Sequence, residues 1–234
     1  MPSKRFKRVR SCSRSRGPAG RMSQPGRRTG KPCDVRPLVI FTIGHSTRPI
    51  DVFIRLLKAH GVQRVVDVRT IPRSRHNPQF NRDQLSRALH HAKMRYRHMP
   101  GLGGLRHARP DSANTGWRNA SFRGYADYMQ TPEFKDSLAR CIALAKQERV
   151  VLMCAESVPW RCHRSLIADA LVARGIETRE ITSGIRTRPH EPTPWARIQG
   201  TQITYPGPAR DQGPRRAHRR PGNGRAGAAR VENA

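Results

Sequence analysis

The chain has 234 residues, with 46 Lys or Arg against 16 Asp or Glu, so its formal net charge is +30. Apolar residues make up 35%, below the roughly 45–50% of an ordinary globular domain. No run approaches the ~18 apolar residues of a membrane-spanning helix, and the glycines lack the three-residue period of collagen. The charge is uneven: +11 in residues 1–37, +14 in 38–206 and +5 in 207–234. Both ends are rich in Arg, Gly and Pro with almost no apolar pattern. They are expected to be disordered basic tails around one folded domain, residues 38–206. Such tails attract phosphate, which makes nucleic acid a natural partner. Five cysteines, an odd number, with no apolar leader before Leu38, argue for reduced thiols and a cytoplasmic protein.

In chain order, Leu38 to Ile43 is a short apolar run that suits a buried strand. Gly44-His45-Ser46 follows as a turn, and Ile50, Phe53, Ile54 and Leu57 trace one helical face that Gly61 ends. Residues 62–68 form a second strand. A loop broken by Pro72 and Pro78 leads to Asn81, a cap for a helix whose inner face is Leu85, Ala88, Leu89 and Ala92. Residues 94–99 alternate as a third strand. A long irregular stretch then precedes a short helix at 122–129. Thr131 and Pro132 open the next helix, with Phe134, Leu138, Cys141, Ile142 and Ala145 inward. Arg149 to Cys154 is a fourth strand. A helix opened by Cys162 or His163 and ended by Gly175 leads to a final strand, residues 177–181.

This order predicts an α/β fold: three layers, a mainly parallel sheet of about five strands with helices on both faces, Rossmann-like. In such sheets ligands bind beyond the carboxyl ends of the strands. Three of those ends carry polar groups: Gly44-His45-Ser46, Asp67-Val-Arg69 and Cys154-Ala-Glu156.

Each candidate has a chemical and a structural reading. Cys154, at a strand end, is a nucleophilic thiolate, a metal ligand or a small buried hydrophobe. Cys162, at a helix start beside Arg161 and Arg164, is expected to have a lowered thiol pKa. His45 is a general acid or base, or its turn binds an anion. Glu156 is a base or the partner of Arg164. With His163 these form the candidate catalytic set. Asp67 and Arg69 point the same way on an extended strand, as an ion pair or with Arg69 facing a ligand oxyanion. Ser46, Arg73, Ser74, Tyr125 and Arg164 complete the candidate substrate-binding set. A metal held by Cys154, Cys162, His163 and His45 is an open alternative, but the spacing is looser than a usual zinc pair, and no metal is assigned. The six residues between Cys154 and Arg161 miss the five of a phosphatase loop, and neither phosphate-binding glycine motif is present. No cofactor is read from the sequence.

Several pieces together resemble the DUF488 family. They are Thr42-Ile-Gly-His-Ser46, Asp67-Val-Arg69 with Pro72-Arg-Ser74, Leu102-Gly-Gly104, Phe122-Arg-Gly-Tyr-Ala-Asp-Tyr128, Cys154-Ala-Glu156, and Cys162-His-Arg-Ser-Leu-Ile-Ala-Asp169. The likeness covers about residues 38–206 and implies an α/β fold, but the family carries no settled activity. Three functions follow from the residues. The first is an enzyme acting on a phosphate-bearing substrate such as a nucleotide or nucleic acid. The second is a non-catalytic nucleic-acid-binding module. The third is a thiol-redox or metal-binding domain.

Overall fold

A computed structural model describes residues 37–208. Apart from their innermost residues, the two basic ends lie outside this range. The first strand, β1 (Val39–Gly44), leads into helix α1 (Ile50–Ala59) and strand β2 (Arg64–Asp67). Helix α2 (Arg82–His91) and strand β3 (Arg95–His98) follow, then two successive helices, α3 (Ala120–Tyr128) and α4 (Pro132–Ala145). Strand β4 (Val150–Cys154), helix α5 (Arg164–Val172) and strand β5 (Glu177–Ile181) complete the expected alternation. Beyond it lie three short strands the sequence pattern does not announce: β6 (Thr187–Pro189), β7 (Arg197–Gln199) and β8 (Gln202–Thr204). None of the described helices is long and apolar enough to cross a membrane.

The sheet has six strands in the order β3-β2-β4-β1-β5-β6; the first five run parallel, and β6 pairs antiparallel with β5. β7 and β8 form a separate hairpin. The central position of β4 explains its sequence. Val-Val-Leu-Met-Cys is buried throughout, because helices cover both faces of an inner parallel strand. β3 lies at the edge, and its Arg-Tyr-Arg-His alternates between exposed and half-buried. β6 carries Pro189 at the opposite edge, where a missing N–H breaks no ladder.

Strand alternation sorts the core into two layers. Phe41, Ile43, Val65, Val151 and Met153 pack with Phe53 and Leu57 of α1 and Leu85 and Leu89 of α2. Ile40, Val66, Leu152 and Cys154 pack on the other side with Tyr125 of α3, Phe134 and Leu138 of α4 and Leu166 of α5. Thr131 caps α4 by accepting from the Phe134 N–H at 3.3 Å. Gly61 and Gly175 follow α1 and α5 in the left-handed conformation. Asn81 departs from the expected role. It precedes α2, but its side chain accepts from the Ser74 N–H at 2.7 Å instead of capping the helix.

Candidate active site at the carboxyl edge of the sheet

The site follows from the strand order. β4 lies between β2 and β1, with Met153 level with Asp67 and Cys154 level with Gly44. The three polar strand ends are therefore neighbours, although 110 residues separate Gly44 from Cys154 in the chain. The His45 N–H donates to the Cys154 carbonyl and the Ser46 N–H to the Ala155 carbonyl, each at 2.9 Å. This tie requires Gly44: a Cβ there would lie 1.9 Å from the Glu156 carbonyl oxygen. A cavity of about 440 Å³ opens at this edge. Among its lining residues are His45, Arg69, Arg73, Ser74, Cys154, Glu156, Cys162 and His163, together with Arg161.

One half of the site belongs to β1 and β2. Asp67 is fully buried and binds Arg69 through both oxygens, from Nε at 2.8 Å and Nη2 at 2.6 Å. The Tyr96 hydroxyl donates to the same carboxylate at 2.7 Å. Arg69 also donates to the Phe80 carbonyl at 2.8 Å, and its own carbonyl accepts from His98 Nε2. Its Nη1 lies 3.3 Å from His45 Nε2, while His45 Nδ1 donates to the Ser46 carbonyl at 2.7 Å. The His45 ring stacks on Phe80 with centroids 4.0 Å apart. Burial, with Arg69 adding a smaller push, lowers the His45 pKa to about 4, so the ring is neutral near pH 7. Both ring nitrogens are engaged, so His45 holds the turn together and is poorly placed to shuttle protons.

The other half belongs to β4 and the start of α5. The Cys154 and Cys162 sulfurs are 2.8 Å apart. Arg164 Nη1 donates to Cys154 Sγ at 2.5 Å and to the Glu156 carbonyl at 3.0 Å. Burial raises the Cys154 pKa, but the hydrogen bond from Cys162 and the Arg164 charge outweigh it and hold the thiol below its ordinary value. Cys162 moves the other way. Its hydrogen bond to Cys154 and its burial raise its pKa well above the ordinary value. The expectation of an acidic Cys162 is corrected: the helix start does supply the Arg164 N–H, 3.4 Å from Cys162 Sγ, but the guanidinium reaches past it to Cys154.

His163 Nε2 donates to the Val68 carbonyl at 3.0 Å, which leaves Nδ1 3.6 Å from Cys162 Sγ. Burial lowers its pKa to about 4. Gly104 makes room for this ring, since a Cβ there would lie 2.4 Å from Nδ1. Gly104, at the end of the Leu102-Gly-Gly104 turn, is thus part of the site wall, and its signal was the glycine pair itself.

Several candidates stand elsewhere. Ser46 contributes only backbone groups, in a left-handed turn at φ 51°. Asp67 sits behind Arg69. Tyr125 is buried with its hydroxyl on the Leu102 carbonyl, outside the cavity wall. Arg164 is buried behind Cys154. The Glu156 carboxylate accepts from the Val158 N–H and does not pair with Arg164, whose nearest carboxylate is Glu180 at 3.6 Å. Among the described residues no group of three or more His, Cys, Asp or Glu is arranged to hold a metal ion. Two family-motif acids are staples. Asp127 accepts from the Arg109 N–H, Ser112 and Asn114, and Asp169 from His190, Thr193 and Tyr205.

No curated protein and no solved structure matches the chain significantly. The matching family model is described as domain of unknown function DUF488 and spans residues 49–171, just over half of the chain. The matched stretch runs from the start of α1 into α5 and includes Asp67, Arg69, Cys154 and Cys162, with β1 and His45 lying just before it. On that match the chain belongs to the DUF488 family.

Proposed function

We propose that the chain is a thiol-dependent enzyme acting on a phosphate-bearing substrate such as a nucleotide or nucleic acid. The contact between Arg164 and Cys154 Sγ carries this reading, because it favours a thiolate on the wall of an arginine-lined cavity. Arg73 and Arg161 line the same space and suit a phosphate dianion, with Arg69 held beside them by Asp67. Cys154 Sγ attacks phosphorus, forming an S–P bond as the P–O ester bond breaks, and the leaving oxygen takes a proton from water. A second water, losing its proton to Glu156, then breaks the S–P bond, which releases phosphate and restores the thiolate.

The test pairs alkylation with turnover. Iodoacetamide should label Cys154 faster than Cys162 at neutral pH. A panel of phosphomonoesters and nucleotides should yield phosphate with the chain and none with Cys154→Ser. Faster labelling of Cys162, or turnover that survives Cys154→Ser, would overturn the proposal.

One observation favours a second reading. Two sulfurs 2.8 Å apart, one thiol acidic and one not, suit a pair that cycles between dithiol and disulfide. Equilibration with glutathione buffers of graded ratio separates the two readings. A reversible two-electron transition of this pair with no phosphate release favours redox chemistry.

A further inference from the structure

Cys154 and Cys162 are free thiols that meet without being joined. Their sulfurs are 2.8 Å apart. A disulfide holds two sulfurs at about 2.05 Å, so a shift of less than ~1 Å closes the bond. Both residues line the cavity at the carboxyl edge, and a small oxidant that enters it meets both. Residues 155–161 separate them, and most of these are exposed, with Trp160 at 65%. The bond can therefore form without repacking the core. Cys141 is the contrast: it is fully buried on α4 and is not part of this cavity wall.

The two sulfurs are not equivalent. Arg164 Nη1 donates to Cys154 Sγ at 2.5 Å. Cys162 Sγ has instead the Arg164 backbone N–H at 3.4 Å and His163 Nδ1 at 3.6 Å. That ring nitrogen is an acceptor, because Nε2 donates to the Val68 carbonyl. The guanidinium favours a thiolate at Cys154, and the acceptor beside Cys162 suits a thiol that keeps its proton. The thiolate is the form that peroxides oxidise. A cysteine oxidised alone goes on to sulfinic acid, which thiols do not reverse. One beside a second thiol is captured as a disulfide, which they do.

We propose that Cys154 is a site of oxidation by hydrogen peroxide and that Cys162 is the thiol that resolves it into an intramolecular disulfide. The inference rests on the reading of Cys154 as the reactive thiol. The Cys154 thiolate attacks one peroxide oxygen. An S–O bond forms as the O–O bond breaks, and the second oxygen leaves as hydroxide, which solvent protonates. The sulfur is oxidised by two electrons and the peroxide is reduced. Cys162 Sγ then attacks Cys154 Sγ. The S–S bond forms as the S–O bond breaks, and the Cys162 proton leaves with that oxygen as water. In sum, two thiols and one peroxide give one disulfide and two waters. The disulfide blocks the nucleophile, and a thiol reductant restores it.

A peptide map reads the bond directly. The full chain is treated with hydrogen peroxide, and the remaining thiols are blocked with iodoacetamide. Trypsin then cuts after Arg149, Arg161 and Arg164 and releases residues 150–161 and 162–164. Mass spectrometry should find these two peptides joined in most of the oxidised chain, and dithiothreitol should part them. Cys141 should stay reduced. In Cys162→Ala the same treatment should leave a sulfenic acid at Cys154, trapped by dimedone, and raise its sulfinic acid at least ~10-fold over the unchanged chain. In Cys154→Ser, Cys162 should stay reduced at the same dose. Circular dichroism checks that the variants fold, and the map of the unchanged chain decides by itself if neither does. Sulfinic acid at Cys154 without joined peptides, Cys154 joined to another cysteine, oxidation of Cys162 in folded Cys154→Ser, or unchanged sulfinic acid in folded Cys162→Ala would overturn the proposal. None of these readouts uses phosphate release, so this inference and the phosphate-ester reading fail separately.

Discussion

The two halves of the carboxyl edge are built in opposite ways. On the β1 and β2 side, Asp67, Arg69 and His45 are saturated: every ring nitrogen and carboxylate oxygen there has a partner. On the β4 and α5 side, the sulfurs of Cys154 and Cys162 contact each other, and the buried Arg164 guanidinium that reaches Cys154 leaves Nε and Nη2 without a hydrogen-bond acceptor among the described residues. Saturation fixes geometry, since a satisfied buried network has one arrangement. Unspent donors and an acidic thiol leave chemistry available. The contrast assigns the first half to positioning and the second to reaction and binding.

The sharpest way to break the contrast is to unsaturate the first half. Asp67→Ala leaves a buried guanidinium unpaired and should lower stability by about 3–5 kcal/mol in denaturant unfolding. A loss below ~1 kcal/mol would show that water or another group already solvates Arg69. Acid offers a second route that reaches both halves. His45 and His163 have folded pKa values lowered to about 4, below the ordinary value. The unfolded chain therefore binds their protons first as pH falls. Stability is fully present above about pH 6.5 and declines towards pH 4, by at most about 1.4 kcal/mol per pH unit for each histidine. Resonances assigned to His45 and His163 that titrate near pH 6.5 in the folded chain would contradict this.

Smaller changes compare the two walls. Gly44→Ala presses on the Glu156 backbone, and Gly104→Ala presses on the His163 ring. Each should lose about 1–3 kcal/mol by overpacking. The expected difference lies in reactivity: Gly104→Ala should also change the rate of Cys162 alkylation. Tyr96→Phe removes only one bond to Asp67 and should lose about 1 kcal/mol, with thiol alkylation unmoved. A change in thiol reactivity there would mean that the halves are coupled.

Much of this architecture was readable from local pattern. The 3.6-residue stripes of α1, α2 and α4 and the apolar runs of β1 and β4 set the element order. The rule that parallel sheets bind ligands at their carboxyl ends picked out His45, Arg69 and Cys154. Long-range partners were not readable. Tyr96 reads as one alternating residue of an edge strand, yet it buttresses Asp67. Phe80 looks like a loop aromatic, yet it carries the His45 ring. Cys162 has the sequence setting of an acidic thiol, and the reach of one arginine side chain reverses the order of the two cysteines.

The amino-acid sequence by itself determined the periodicities, the turns at Gly61 and Gly175, the cap at Thr131 and hence the succession of strands and helices. These depend on neighbours within one or two turns of chain. Only the tertiary structure decided that β4 inserts between β2 and β1, that β6 runs antiparallel, and that Trp117 and Trp195 from separate segments meet. Strand order is set by which apolar faces bury each other across a hundred residues. The pKa values of Cys154 and Cys162 are set by their hydrogen bond to each other, by burial and by a charge that arrives from α5. Neither quantity exists until the chain has folded.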